Sequence, residues 1–334
     1  MVSPSRATVT EEFQLSQATE MSTRDTHTYI LCGWRTHSDI PLTGVPASVH
    51  ADESVDVLIQ LAPGRSPIAE NARGGVCAHS PERSLIRVEG VADFEISRGR
   101  QIYVWPNARA TQKDVEIFLF GAAWATLCHQ RGLLPLHASA VLNEGEIAAF
   151  AGPSGVGKST IAALLGSLDY KFVSDDILPV SFNERLVPGA WPYLQRLKLR
   201  DDSINELALT PTEPVSKILD KEKYFVRPKC ASDDTWNRLE RLYLLEIDPT
   251  DSCYAIDRIT GLKAVHALID QTYHFHFIRD SGRFGEHLSF CTQLASKIAI
   301  YRLRRPPSFG VGKELRSIIC AHLKHSRNGC NSAL

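Results

Sequence analysis

Nine consecutive residues, Gly152-Pro153-Ser154-Gly155-Val156-Gly157-Lys158-Ser159-Thr160, carry the most specific chemistry in this chain. They fit the pattern G-x-x-x-x-G-K-[ST], and they sit between an apolar run, Ile147 to Ala151, and helix-spaced Ile161, Leu164, Leu165 and Leu168. Glycines at these places let successive backbone N–H groups converge ahead of a helix N-terminus, where the dipole also favours an anion. Phosphate is the natural occupant. Lys158 then supplies a point charge to the outer phosphates, and the Ser159 hydroxyl supplies a ligand for the Mg²⁺ that accompanies a nucleoside triphosphate such as ATP.

Two flanking features extend this chemistry. Before the loop, the run Leu136 to Leu142 and the run Glu146 to Gly152 are joined through Asn143-Glu144-Gly145-Glu146, a hairpin signature. With Glu144 and Gly145 as a two-residue turn, Asn143 faces Glu146 and His137 faces Gly152, which brings an imidazole to the phosphate loop. After the loop helix, Tyr170 to Ser174 reads as a short strand ending in Asp175-Asp176. Phosphoryl transfer needs carboxylates for two jobs, metal ligation and acceptance of the proton from an attacking hydroxyl, and two aspartates divide them naturally. A surface turn with solvated acids is the competing reading.

The elements that must position these groups alternate strand and helix. Gln112 to Arg131 reads as one long helix ending at Gly132. Beyond the aspartates, Arg196, Lys198 and Arg200 alternate with apolar residues, so a strand places three cations on one face, for phosphate, for an acidic peptide or for solvent. Lys221 to Arg227 reads as a charged loop entering a strand. Strands follow at 239–247 and 253–259, then a helix capped by Thr260, a helix over 287–299, a basic strand over 300–306 and a helix over 312–323. His274-x-His276 has strand spacing that would align two imidazoles. With no third ligand nearby in sequence, it reads as structural rather than as a metal site.

Before residue 112 the segments are short and β-rich: 29–32, 55–61, 85–88, 91–96 and 101–105, with turns at Arg73-Gly74-Gly75 and Arg98-Gly99-Arg100. The expected organisation is a disordered leader over residues 1–25, a β-rich domain over 26–111, an α/β phosphate-loop domain over 112–323 and a tail over 324–334. Met21 is an alternative start. The β-rich unit shows no catalytic constellation and suits a lid, a dimerisation module or a peptide-binding sheet edge.

The 334 residues are 43% hydrophobic and 22% charged with a formal charge of -1, which argues for a sizeable core and against a nucleic-acid partner. Eight cysteines without C-x-x-C spacing indicate a reduced, cytoplasmic protein. The longest apolar stretch, Ile117 to Cys128, is too short to span a bilayer and reads as a buried helix, so no membrane partner is expected.

The order His137, GPSGVGKS, Asp175-Asp176 resembles the catalytic domain of HPr kinase/phosphorylase over roughly residues 133–323. The resemblance implies a P-loop kinase fold of the HPr kinase/PEP carboxykinase type, use of ATP and Mg²⁺, and a homo-oligomer. It implies that His137 assists catalysis, that Lys158 and Ser159 hold phosphate and metal, and that Asp176 activates a serine hydroxyl with Asp175 alongside as a metal ligand. Pro153 and Thr160 depart from the acidic residues of the bacterial enzyme's loop, and Ala138 replaces the glycine after the histidine. Gln195 and Arg196 stand where a later metal-binding glutamate is expected. Those departures, with GLLPLHASAV, VPGAWPYLQRLKL and YRLRRP, look more like the HPr-kinase-related proteins encoded beside natural-product genes, among them kinases for the C-terminal serine of lasso-peptide precursors. The expected function is a serine kinase acting on a peptide or small protein. A bifunctional HPr-type kinase and phosphorylase, a free-serine kinase and a nucleotide-binding module without transfer chemistry remain open beside it.

Overall fold

A computed structural model of the chain describes residues 26–48, 54–68, 77–168, 170–215, 223–231, 235–249, 253–306 and 313–325. The expected leader, the Arg73-Gly74-Gly75 turn, Lys221 and most of the expected tail lie outside the described residues. The architecture is mixed α/β with several sheets.

The first sheet is built from β1 (His27–Leu31), β2 (Trp34–Ser38), β3 (Val57–Leu61), β4 (Cys77–His79), β5 (Arg83–Val88), β6 (Ala92–Ser97) and β7 (Gln101–Pro106), in the order β1-β2-β3-β7-β6-β5-β4. All five expected runs become strands; β2 and β4 escaped notice because their polar sequences, WRTHS and CAH, lack an apolar run. Alternation is clearest in β6, where Ala92, Phe94 and Ile96 are buried and their neighbours are only partly so.

Thr111 caps the following helix with a reciprocal Asp114 contact, and α1 (Gln112–Phe118) continues through a π-helical turn, Leu119–Ala123, into α2 (Trp124–Gln130). The single expected helix is therefore interrupted in the middle, a wider turn that hydropathy spacing does not reveal. Leu119, Phe120, Trp124 and Leu127 are buried together with Phe94, Ile96 and Ile102 of the first sheet. Within the same helix Glu116 accepts hydrogen bonds from Thr43 and Gln112 and pairs with Arg196 at 3.2 Å, with side chains 1% and 8% exposed. Arg196 also lies over the Phe120 and Phe225 rings at 5.0 and 4.6 Å. Arg196→Ala leaves a buried carboxylate uncompensated, so a loss of about 3–5 kcal/mol is expected, read as a lower urea midpoint.

The second sheet comprises β8 (Leu134–Leu136), β9 (Ala138–Asn143), β10 (Glu146–Ala151), β11 (Lys171–Ser174), β12 (Leu178–Phe182), β13 (Pro188–Ala190), β17 (Asn237–Ile247), β18 (Ala255–Ile259) and β19 (Ala299–Arg305). A small third sheet holds β14 (Leu197–Arg200), β15 (Glu213–Pro214) and β16 (Lys223–Val226). Its helices are α3 (Lys158–Gly166), α4 (Asp201–Glu206), α5 (Leu262–Asp270), α6 (His276–Asp280), α7 (Phe284–Lys297) and α8 (Lys313–His325). Along β10, Ala148 and Phe150 join a core with Ile161 and Leu165 of α3 and Ile319 of α8, whereas Ile147 and Ala149 join a second core with Leu268 of α5 and Leu294 of α7. Helices thus cover both faces. Strands buried on both faces must be apolar throughout, which is why β10 reads as a continuous run.

β10, β17 and β19 run parallel, so their carboxyl ends, Ala151, Ile247 and Arg305, share one edge. Ligands of open α/β sheets bind at that edge. Three local expectations change. The cap of α5 is Gly261, at φ +63°, rather than Thr260; α8 runs two residues past Leu323; and His274 and His276 lie in a turn and at the start of α6 rather than in a strand.

Candidate active site

The β9–β10 hairpin has the expected register: Asn143 pairs with Glu146 and Ala138 with Ala151. Glu144 and Gly145 both have positive φ, 52° and 84°, as a two-residue turn of the primed type requires. The ladder ends there, so His137 and Gly152 are the residues that leave the two strands side by side in register, and His137 lines the same cavity as Gly155, Gly157 and Lys158 of the loop. His137 donates its backbone N–H to Gln271 O at 2.7 Å and meets the Tyr273 ring edge-on at 5.5 Å.

Gly152 leaves β10 at φ +141°, and a Cβ there would stand 2.7 Å from the Leu245 carbonyl of β17. Gly157, at φ +106°, is the N-cap of α3, and no side chain among the described residues caps it. The first-turn N–H groups of α3 are thereby left facing the cavity that the loop encloses. Lys158 is 6% exposed and folds back over the loop, donating to Gly152 O at 2.8 Å and Pro153 O at 3.2 Å. Burial lowers its pKa, against the attraction of Asp176 and Asp175. On β19, Arg305 donates from Nε to Val156 O at 3.1 Å and fixes the middle of the loop.

Strand β11 ends at Ser174, so the two aspartates are not bound by strand alternation. Asp176 adopts φ +66°, and Ile177 N donates to Asp175 O at 2.9 Å across it, a tight turn that separates the two carboxylates. Such a conformation is sparsely populated outside glycine, and aspartate is among the residues that tolerate it.

Asp175 is buried and holds three partners: its Oδ1 accepts from Ser139 at 2.6 Å and Ser159 at 2.7 Å, and its Oδ2 accepts from Lys198 N at 3.0 Å. Burial and the neighbouring Asp176 charge raise its pKa, while these hydrogen bonds favour the ionised form. Because Ser159 donates its proton to Asp175, its oxygen lone pairs are left for a cation. The hard oxygen donors therefore fit Mg²⁺. Asp175 has both oxygens engaged, so it orients Ser159; ligating a metal directly would require giving up one of these bonds.

Asp176 pairs instead with the Lys198 ammonium. Burial opposes its ionisation, but Lys198, His137 and Lys223 more than offset that and leave the carboxyl at about 2. His137 moves the other way: burial and then Lys158 bring it down to about 4, so it is neutral at pH 7. Lys198→Met removes the principal counter-charge, so the Asp176 pKa rises from about 2 toward or beyond its ordinary 3.8. A base must be ionised to act, hence the acid limb of kcat/KM is expected at higher pH in this variant than in the wild type. An acid limb unmoved by the substitution contradicts the pairing.

His137, Ser154, Lys158, Ser159, Thr160 and Asp176 line one cavity of about 220 Å³, closed by Lys198, Arg200, Asp202 and Lys223. Thr160 is tied to α4 through Ser203 at 3.0 Å. A second cavity of about 300 Å³ shares Asp176, Lys198 and Lys223 with the first and is walled by Phe118, Ala122, Val215 and Tyr273. A third, of about 630 Å³, lies on the other side of Gly152 and Pro153 against α5. Of the three alternating cations, only Lys198 and Arg200 face the phosphate-sized cavity; Arg196 is buried against Glu116. Sequence reasoning passed over Ser139, Arg305, Asp202 and Glu206. Ser139 is legible in principle, since it lies two residues beyond His137 in the strand that leads from it.

No family model matches the chain, and no curated protein matches it. Among solved structures it is similar to the Hpr(Ser) kinase/phosphatase from Coxiella burnetii, at 11% identity over 59% of this chain and 92% of that chain, with a TM-score of 0.31. The functional reading rests on the residues of the site.

Proposed function

We propose that the protein is an ATP- and Mg²⁺-dependent serine kinase acting on a peptide or small protein. The observation that carries this reading is the common cavity in which a lysine and serine at a helix N-terminus face an ionised aspartate held by a second lysine. The loop amides and Lys158 bind the β- and γ-phosphates, and Ser159, oriented by Asp175, would hold Mg²⁺, which would supply charge neutralisation for the transferring group. The acceptor hydroxyl lies between Asp176 and the γ-phosphorus. Its oxygen forms the new P–O bond, the bond to the β-phosphate oxygen breaks, the proton passes to Asp176, and ADP leaves. At a pKa of about 2, Asp176 is a weak base that acts chiefly by orienting the hydroxyl until the transfer is well advanced. Neutral His137 donates a hydrogen bond to the transferring group.

The cavity of about 300 Å³ beyond Asp176 supplies an approach for the acceptor. It is large enough for a few residues and too small for a folded surface, and Lys198 and Lys223 in its lining suit a carboxylate. A C-terminal serine is therefore the favoured acceptor, as on a lasso-peptide precursor. Free serine, which shares that carboxylate, is the second reading the same cavity supports. Labelled ATP with a peptide ending in serine, its C-terminal amide, a peptide with an internal serine, and free serine separates them. Transfer to the free-acid peptide above the others is expected; transfer to none of them counts against the kinase.

A further inference from the structure

Away from that site, three histidines from two distant parts of the chain come together. His79 ends β4 of the first sheet, His274 lies in the turn before α6, and His276 begins α6. One ring nitrogen from each lies within 4.8 Å of the other two. The His274 and His276 ring centroids are 3.8 Å apart, and His79 is 5.7 and 5.5 Å from them. Both ring nitrogens of His79 and Nε2 of His276 are buried without a hydrogen-bond partner among the described residues. A buried donor or acceptor left in that state is destabilising, so three in one place call for a ligand.

The proton positions around His274 point the same way. Thr126 donates its hydroxyl proton to Ala122 O at 2.8 Å, so toward His274 Nδ1, 3.2 Å away, it accepts. His274 therefore carries its proton on Nδ1 and presents a bare Nε2. A hydrogen bond that fixes the tautomer of an imidazole is the usual outer support of a metal-bound histidine.

We infer that His79, His274 and His276 form a binding site for a divalent metal that prefers imidazole, with Zn²⁺ the best match. Three nitrogen donors and a solvent molecule complete a tetrahedron. Zinc–nitrogen bonds of about 2.0–2.1 Å place tetrahedral donors about 3.4 Å apart, and the three ring nitrogens already lie within 4.8 Å of one another. The metal fastens β4 to the turn that carries Tyr273, whose ring faces His137 and lines the second cavity. It ties the first sheet to the turn before α6, and its binding does not depend on the kinase reading.

The test uses the untagged full chain, stripped with chelator and then titrated with Zn²⁺ and with Co²⁺. One zinc per chain is expected, together with a higher melting temperature and a Co²⁺ spectrum of nitrogen and oxygen ligation without thiolate charge-transfer bands. His79→Ala and His276→Ala are each expected to lose the zinc and the thermal shift. Absence of bound metal at micromolar zinc overturns the inference, as do thiolate bands in the cobalt spectrum or undiminished binding in a folded variant. Should either variant fail to fold, the wild-type stoichiometry and cobalt spectrum decide.

Discussion

Lys158→Ala is expected to lower kcat/KM for phosphoryl transfer by at least about 10³-fold, the range seen when a preorganised charge on a transferring phosphoryl group is removed. In a loose transition state there is little covalent work for the protein, so rate comes from charge placed where charge develops. Lys158 is the cation best placed for this: it starts α3, it is buried, and it spans the loop to Gly152 and Pro153. Those loop contacts form when its ammonium is turned back, and the flexible stem permits it to swing onto a phosphate. The loss should fall on nucleotide affinity as well as on kcat. A variant that folds and retains more than a tenth of wild-type kcat/KM would contradict the loop assignment.

Asp176→Asn should behave differently, and the contrast is diagnostic. The substitution preserves shape and removes a negative charge from the cavity proposed to hold the triphosphate, so ATP should bind as well as before or better. Transfer should fall by about 10²–10⁴-fold, the usual contribution of a positioned base. The Lys198 ammonium, deprived of its partner, then adds to the positive field around the phosphates. Calorimetry for nucleotide binding and single-turnover kinetics for transfer read the two effects separately. Weakened binding with transfer slowed in proportion would make Asp176 a structural residue of the cavity.

Much of this candidate site is legible in the sequence. The hairpin can be placed because a two-residue turn at Glu144-Gly145 fixes the pairing from Asn143–Glu146 to Ala138–Ala151, which leaves His137 and Gly152 as the residues that follow. The strand and helix around the loop were legible because Ile147 to Ala151 is continuously apolar and α3 begins at a glycine with no competing signal. What stayed hidden depended on long-range pairing. That Lys198 would hold both aspartates, one with its backbone and one with its side chain, follows from β14 lying beside the end of β11. Its neighbour Arg196 looked equivalent in sequence, yet it precedes the strand and is claimed by Glu116 of α1. The π-helical turn at Leu119–Ala123 is invisible to hydropathy because both helical windings bury a similar stripe. His274 and His276 show no third ligand nearby in sequence, and the third comes from β4 of the first sheet.

The central claim is spatial: a triphosphate held by the loop points its last phosphorus at Asp176. A crystal structure with Mg²⁺ and a non-hydrolysable ATP analogue measures this directly. The account predicts a γ-phosphorus within about 4–6 Å of an Asp176 oxygen, the span that leaves room for one hydroxyl at reacting distance from both. An analogue bound with its γ-phosphorus more than about 10 Å from Asp176, for instance with the triphosphate directed into the cavity against α5, would contradict it.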